Sequence, residues 1–165
     1  MTEITKWVLL LHVAATLAMV GLIWFVQIVH YPLFSQVGRE SFCRYEMDHQ
    51  RLVMWIVAPG MLTELATAVA LLWLRPAGIA SPSIWLGILL VASIWIVTYS
   101  VQVPQHASLA MSYDSEIQRK LVKGNWIRTA AWSARGLLVL WMLCQVISRV
   151  ATNPMAAELA QIARP

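Results

Sequence analysis

Three histidines, His30, His49 and His106, and one glutamate, Glu46, are the side chains of this 165-residue chain best suited to chemistry. Neutral imidazole is the commonest protein ligand for zinc, copper and iron, and it also exchanges protons near neutral pH. Glu46 and His49 stand three positions apart, a spacing that sets a carboxylate and an imidazole on one helix face. These four could form the ligand set of a transition metal. His30 and His106 could instead be the two axial ligands of a haem, with Arg128 pairing a propionate. Gln27, Gln102, Asn125 and Arg128 are the polar side chains that would support either centre. Set against both readings, a histidine at a helix end near a bilayer surface also serves as an interfacial residue or a cap.

The elements that must position these groups are set by hydropathy. The chain is 59% apolar and 12% charged, with a mean hydropathy of +0.66, values outside the range of ordinary soluble domains. Four apolar runs, at about residues 7–29, 52–74, 84–103 and 126–148, each reach the roughly 20 residues a helix needs to cross a bilayer. The expected fold is therefore all-α: an integral membrane up-down-up-down four-helix bundle, one domain over residues 1–165. Short interfacial helices are expected in the loops joining helices 1–2 and 3–4, where Phe34, Val37, Phe42 and Tyr45 alternate with charge and Asp114 suits an N-cap. An up-down order brings Gln27, His30, Glu46, His49, Gln102, His106, Asn125 and Arg128 to one rim. His12 lies about 27 Å from His30 along helix 1 at 1.5 Å per residue, so it belongs elsewhere, as a helix–helix hydrogen bonder.

Helical spacing also sorts the faces. His12, Thr16, Met19, Ile23, Gln27 and His30 form one stripe on helix 1; Trp95, Tyr99, Gln102 and His106 form another on helix 3. Asn125, Arg128, Trp132, Arg135, Val139 and Met142 do the same on helix 4. Glu64 and Arg135 fall deep within their helices and could pair near the midplane, because an unpaired charge there is costly. The breakers are Tyr31-Pro32, Pro59-Gly60, Pro104, Gly124 and Pro154, with a short turn holding Pro76, Gly78 and Pro82.

Seven basic residues, Arg39, Arg44, Arg51, Arg119, Lys120, Lys123 and Arg128, lie in or beside the two long loops, against Lys6, Arg75, Arg149 and Arg164 on the other side. The positive-inside rule then puts both long loops in the cytoplasm and both termini outside, with a bacterial inner membrane as the expected location. Trp7, Trp73 and Trp85 mark one boundary, and Tyr31, Trp55 and Trp126 the other. The start of the chain lacks a basic signal-peptide n-region, and its apolar run is long enough to be a mature helix. Cys43 and Cys144 make no disulfide framework. No soluble basic face exists to present to nucleic acid. At an offset of 76, His30 aligns with His106, Glu40 with Glu116 and Gly60 with Gly136, which suggests two related hairpins.

Val103-Pro104-Gln105-His106-Ala107-Ser108-Leu109, followed by Asn125-Trp126-Ile127-Arg128, resembles the closing and opening segments of helices 3 and 4 in the small four-span anthrone-oxygenase-like group. His106 stands where that group usually has asparagine. The resemblance implies a four-helix membrane protein that oxidises an apolar aromatic compound. Two classes of function are thus expected: a metal- or haem-dependent redox or oxygenase-like protein acting on an apolar compound, or a non-enzymatic transporter or accessory subunit. The bilayer is the expected partner in both, with a homo-oligomer or a larger membrane complex around it.

Overall fold

Backbone groups in a long apolar run must bond to one another, and a helix does this within a single segment. A computed structural model describes the backbone of residues 2–162 and the side chains of residues 2–149, 151 and 152. Arg164, one of the four basic residues of the terminal side, lies outside the described residues. The elements are α1 (Glu3–Phe25), α2 (Tyr31–Leu33), α3 (Arg39–Ala70), α4 (Ser81–Val97), α5 (Val103–Met111) and α6 (Ser115–Ile162), with no strand among the described residues. Four helical runs, Glu3–Gln36, Arg39–Ala70, Ser81–Met111 and Ser115–Arg149, are long and apolar enough to cross a bilayer.

These runs are longer than hydropathy alone predicts, because the two long loops are mostly helix. The short helix expected after Phe34 is the opening of α3, and the one expected after Asp114 is the opening of α6. Neither stands as a separate interfacial piece. No proline or glycine interrupts residues 39–58, so nothing stops the helix between the rim and the apolar stretch. Asp114 does cap α6, its Oδ1 accepting the N–H groups of Glu116 at 2.7 Å and Ile117 at 3.2 Å. Gly124 is not a stop. A Cβ there would meet Gln102 Nε2 at 3.4 Å, an ordinary van der Waals contact, and α6 runs on through the position. α3 also continues through Pro59 and α6 through Pro154, each with one backbone hydrogen bond fewer.

The prolines near the histidines do not end their helices either. Tyr31 N–H bonds to Val26 O and Val103 N–H to Thr98 O, each closing a π turn directly before Pro32 or Pro104. A π turn widens the helix, so the proline ring avoids the carbonyl it would otherwise strike. The two π turns and their prolines repeat at an offset of 72, whereas the starts of α3 and α6 repeat at 76. One extra residue per π turn rotates the remainder of the helix by about 100°. Tyr31, Phe34 and Leu109 consequently face inward, at 3%, 0% and 0% exposure.

α1 packs on α3 and α6, and the α4–α5 run packs on the same two helices from the other side. Leu9, Val13, Leu71, Val139 and Met142 form one apolar cluster; Met19, Ile23, Met61, Ile94 and Trp132 a second; Phe34, Phe42, Leu109 and Leu121 a third with Tyr31. Gly78 turns the chain between α3 and α4 with φ +108°, a conformation that favours glycine. Polar clusters fill the two gaps between these apolar layers.

Candidate functional site

His106, brought inward by the second π turn, sits between two partners. Its Nδ1 is 2.5 Å from Glu46 Oε1, and its Nε2 is 2.9 Å from Tyr31 Oη. Gln50 fastens α3 to α5, its Nε2 donating to Glu46 Oε1 at 3.2 Å and to the His106 carbonyl at 3.0 Å. Beside this, His30 Nε2 lies 3.0 Å from His49 Nδ1. The His49 ring centre is 4.6 Å from that of His30 and 5.4 Å from that of His106. All four candidates named from sequence therefore meet at one end of the bundle, contributed by three of the four helical runs.

They meet as hydrogen-bond partners. Both nitrogens of His106 are engaged, and His30 and His49 face each other. Among the described residues, no three His, Cys, Asp or Glu side chains form a group that could hold a metal ion. His49 packs against both His30 and His106. The metal or haem ligation expected of His30, His106, His49 and Glu46 thus has no such group to support it among the described residues.

Counting protons shows what the arrangement can do. Tyr31 Oη also lies 3.5 Å from Gln102 Oε1, and a phenol has one proton to give. If Tyr31 donates to His106 Nε2, the imidazole is neutral and gives its Nδ1 proton to Glu46. If Tyr31 donates to Gln102, His106 Nε2 gives its proton to the phenol oxygen, and the short Nδ1–Glu46 contact holds the other proton. The same heavy atoms serve both arrangements of the hydrogen bonds. With the Gln102 amide turned over, its nitrogen would donate to the phenol, giving an unbroken chain from Gln102 to Glu46.

The supporting residues divide into two groups. Gln102 stands with Tyr31 and His106. Gln27 accepts from Asn125 Nδ2 at 3.0 Å and Thr129 Oγ1 at 3.4 Å, and donates to the Val122 carbonyl at 3.2 Å. Arg128 Nη1 donates to Asn125 Oδ1 at 3.2 Å, and its guanidinium covers the Trp132 ring at 5.2 Å.

A cavity of about 470 Å³ opens beneath the histidines. Met19, Ile23, Met61 and Trp95 wall its body, while Tyr31, His49, Gln102, His106 and Arg128 line its polar parts. An apolar body with a few placed polar groups, within the usual size range, is how small-molecule sites are built.

Deeper in the bundle, Glu64 and Arg135 form an ion pair at 2.7 Å, at 1% and 0% exposure. Trp132 Nε1 donates to the second Glu64 oxygen at 3.1 Å, and Arg135 also bonds the Gly87 carbonyl. Thr67 gives its proton to the Thr63 carbonyl at 2.7 Å, so the 2.9 Å contact with His12 Nδ1 requires His12 to donate. His12 Nε2 is then bare and accepts from Arg135 Nη2 at 3.5 Å. This group joins α1, α3, α4 and α6 with its donors matched to acceptors.

Sequence reading missed Tyr31, Gln50 and Trp132. Tyr31 was assigned to the aromatic boundary but is buried, whereas Trp55 and Trp126 are exposed at 79% and 46%. The signal was Pro32: a proline at the end of an amphipathic stripe re-phases the residues around it. No protein-family model, curated protein or solved structure matches this chain.

Proposed function

We propose that this chain is an integral membrane protein of four up-down-up-down spans that takes an apolar compound from the bilayer into the central cavity. There His106, held between Glu46 and Tyr31, exchanges a proton with that compound through the Tyr31 hydroxyl, the pair acting as a general acid or base. The observation that carries this reading is that His106, hydrogen-bonded to both Glu46 and Tyr31, opens onto an apolar cavity. The resemblance to anthrone-oxygenase-like proteins, whose chemistry acts on apolar aromatic compounds, points the same way.

Several features support the membrane setting. Leu89, Ile96 and Leu137 are 64–72% exposed on the outside of the bundle, a surface suited to lipid. Arg39, Arg44, Arg51, Arg119, Lys120 and Lys123 cluster on the openings of α3 and α6, a positive-inside bias that supports a cytoplasmic histidine rim.

The experiment is to purify the full chain in detergent, extract and identify co-purifying apolar compounds, and follow their conversion by the wild type and by His106→Gln. Metal content and the absorption spectrum are recorded on the same sample. Conversion that falls about a hundredfold or more in His106→Gln, without bound metal or a Soret band, supports the reading. Binding without conversion makes the cavity a carrier site, as in a transporter. Stoichiometric metal or a Soret band lost in His30→Ala would restore the metal or haem alternative.

A further inference from the structure

A buried cation ordinarily has an anion beside it, and Arg128 has none. It is 7% exposed. Its Nη1 is used by Asn125 and its face by Trp132, and the neutral Tyr31 phenol lies beside it, but its Nε is buried with no acceptor. No carboxylate among the described residues lies within ion-pair distance of it. The two buried acids are engaged elsewhere: Glu46 Oε1 accepts from His106 and Gln50, and Glu64 is held by Arg135 and Trp132. Glu46 keeps a second oxygen without a partner, but that residue does not line the cavity. Arg128 does line it, and so does Trp95, whose Nε1 is likewise buried with no acceptor.

An unpaired guanidinium in a low-dielectric interior is strongly unfavourable, and a ligand that brings a negative oxygen relieves it. We infer that the cavity is built for an apolar monoanion whose anionic oxygen is received by Arg128, with its hydrocarbon body lying among Met19, Ile23 and Met61. Trp95 Nε1 is a second free donor in the cavity lining. Charge-assisted hydrogen bonds are about twice as strong as neutral ones, so the charge of the head group decides selection. The head would enter beside Tyr31 and His106, which puts it next to the proton site. This inference rests on the cavity being the substrate site and adds the chemical class of the substrate.

The test is native mass spectrometry of the full chain released from detergent micelles with three added probes: 2-naphthoate, its neutral analogue 2-naphthamide, and dodecanoate. The expected result is that wild type binds at least one of the two anions at least about tenfold more tightly than the amide. Arg128→Met should bring anion and amide to within about twofold of each other, while Arg128→Lys keeps part of the preference. A preference for naphthoate over dodecanoate marks a small aromatic acid as the ligand; the reverse marks an acyl chain drawn from the lipid. Equal binding of naphthoate and naphthamide to wild type overturns the inference yet leaves the cavity a binding site. No binding of any probe refutes the cavity reading itself. Should Arg128→Met fail to fold, the wild-type ratio of anion to amide decides.

Discussion

Replacing Glu64 by leucine should be the most damaging single change in the bundle. The substitution leaves Arg135, at 0% exposure, with a buried charge whose remaining partners are the Gly87 carbonyl and His12. It also removes the acceptor of the Trp132 indole. Breaking a buried ion pair from one side costs about 3–5 kcal/mol, close to a hundred- to several-thousandfold in the folding equilibrium. Arg135→Leu should cost a similar amount, since Glu64 then keeps only the indole. The double variant Glu64→Leu/Arg135→Leu removes both charges together and leaves neutral donors, so its cost should fall to about 1–3 kcal/mol. Equilibrium unfolding in mixed micelles, with the nine tryptophans as reporters, measures all three. Additive costs of roughly 6–10 kcal/mol in the double variant would refute the clamp, since coupled neighbours must not add. A single-variant cost under about 1 kcal/mol would do the same.

Particular contacts give four further outcomes. In ¹⁵N-histidine spectra, His12 should be the neutral Nδ1–H tautomer, because Thr67 spends its proton on Thr63; an Nε2–H signal would contradict this. Tyr31→Phe removes the phenol 2.9 Å from His106 Nε2, so conversion of the co-purified compound should drop roughly a hundredfold while binding persists; loss of binding instead would make Tyr31 a ligand contact. Gly60→Ala sets a Cβ 2.5 Å from Met19 Sδ, and Met19 lines the cavity. Probe affinity should therefore change with a stability effect within about 1 kcal/mol, since alanine's helix propensity offsets the displaced thioether. Gly38→Cys and Ser112→Cys, at the breaks before α3 and α6, should both be labelled from the cytoplasmic side in intact cells; labelling from opposite sides would overturn the up-down order.

The location of the four helices follows from hydropathy, and the inward face of α6 from spacing alone. Asn125, Arg128, Trp132, Arg135, Val139 and Met142, six positions of one stripe, are all buried in α6. Their steps of three and four leave only one face for a mixed polar and apolar set. Other features were not legible because they depend on backbone detail. The polar content of residues 39–51 resembles a loop, yet without a breaker it continues the helix. Pro32 and Pro104 look like endings, but a π turn is a local change in hydrogen bonding that composition does not encode. Tyr31 turned inward for that reason, and with it came the phenol that completes the relay. The pairing of the histidines with one another was equally hidden, since convergence on one rim follows from topology while hydrogen-bond direction depends on rotamers.

In the proposed function the cavity and the histidine relay form a single site. Its most direct test is the ¹⁵N spectrum of the four histidines in lipid nanodiscs during titration with 2-naphthoate. His106 and His49, which line the cavity, should shift with one common saturation curve. His12, enclosed by Thr67 and Arg135, should stay in place. Resonances of His106 and His49 that do not move at saturation, or that move no more than His12, would contradict it.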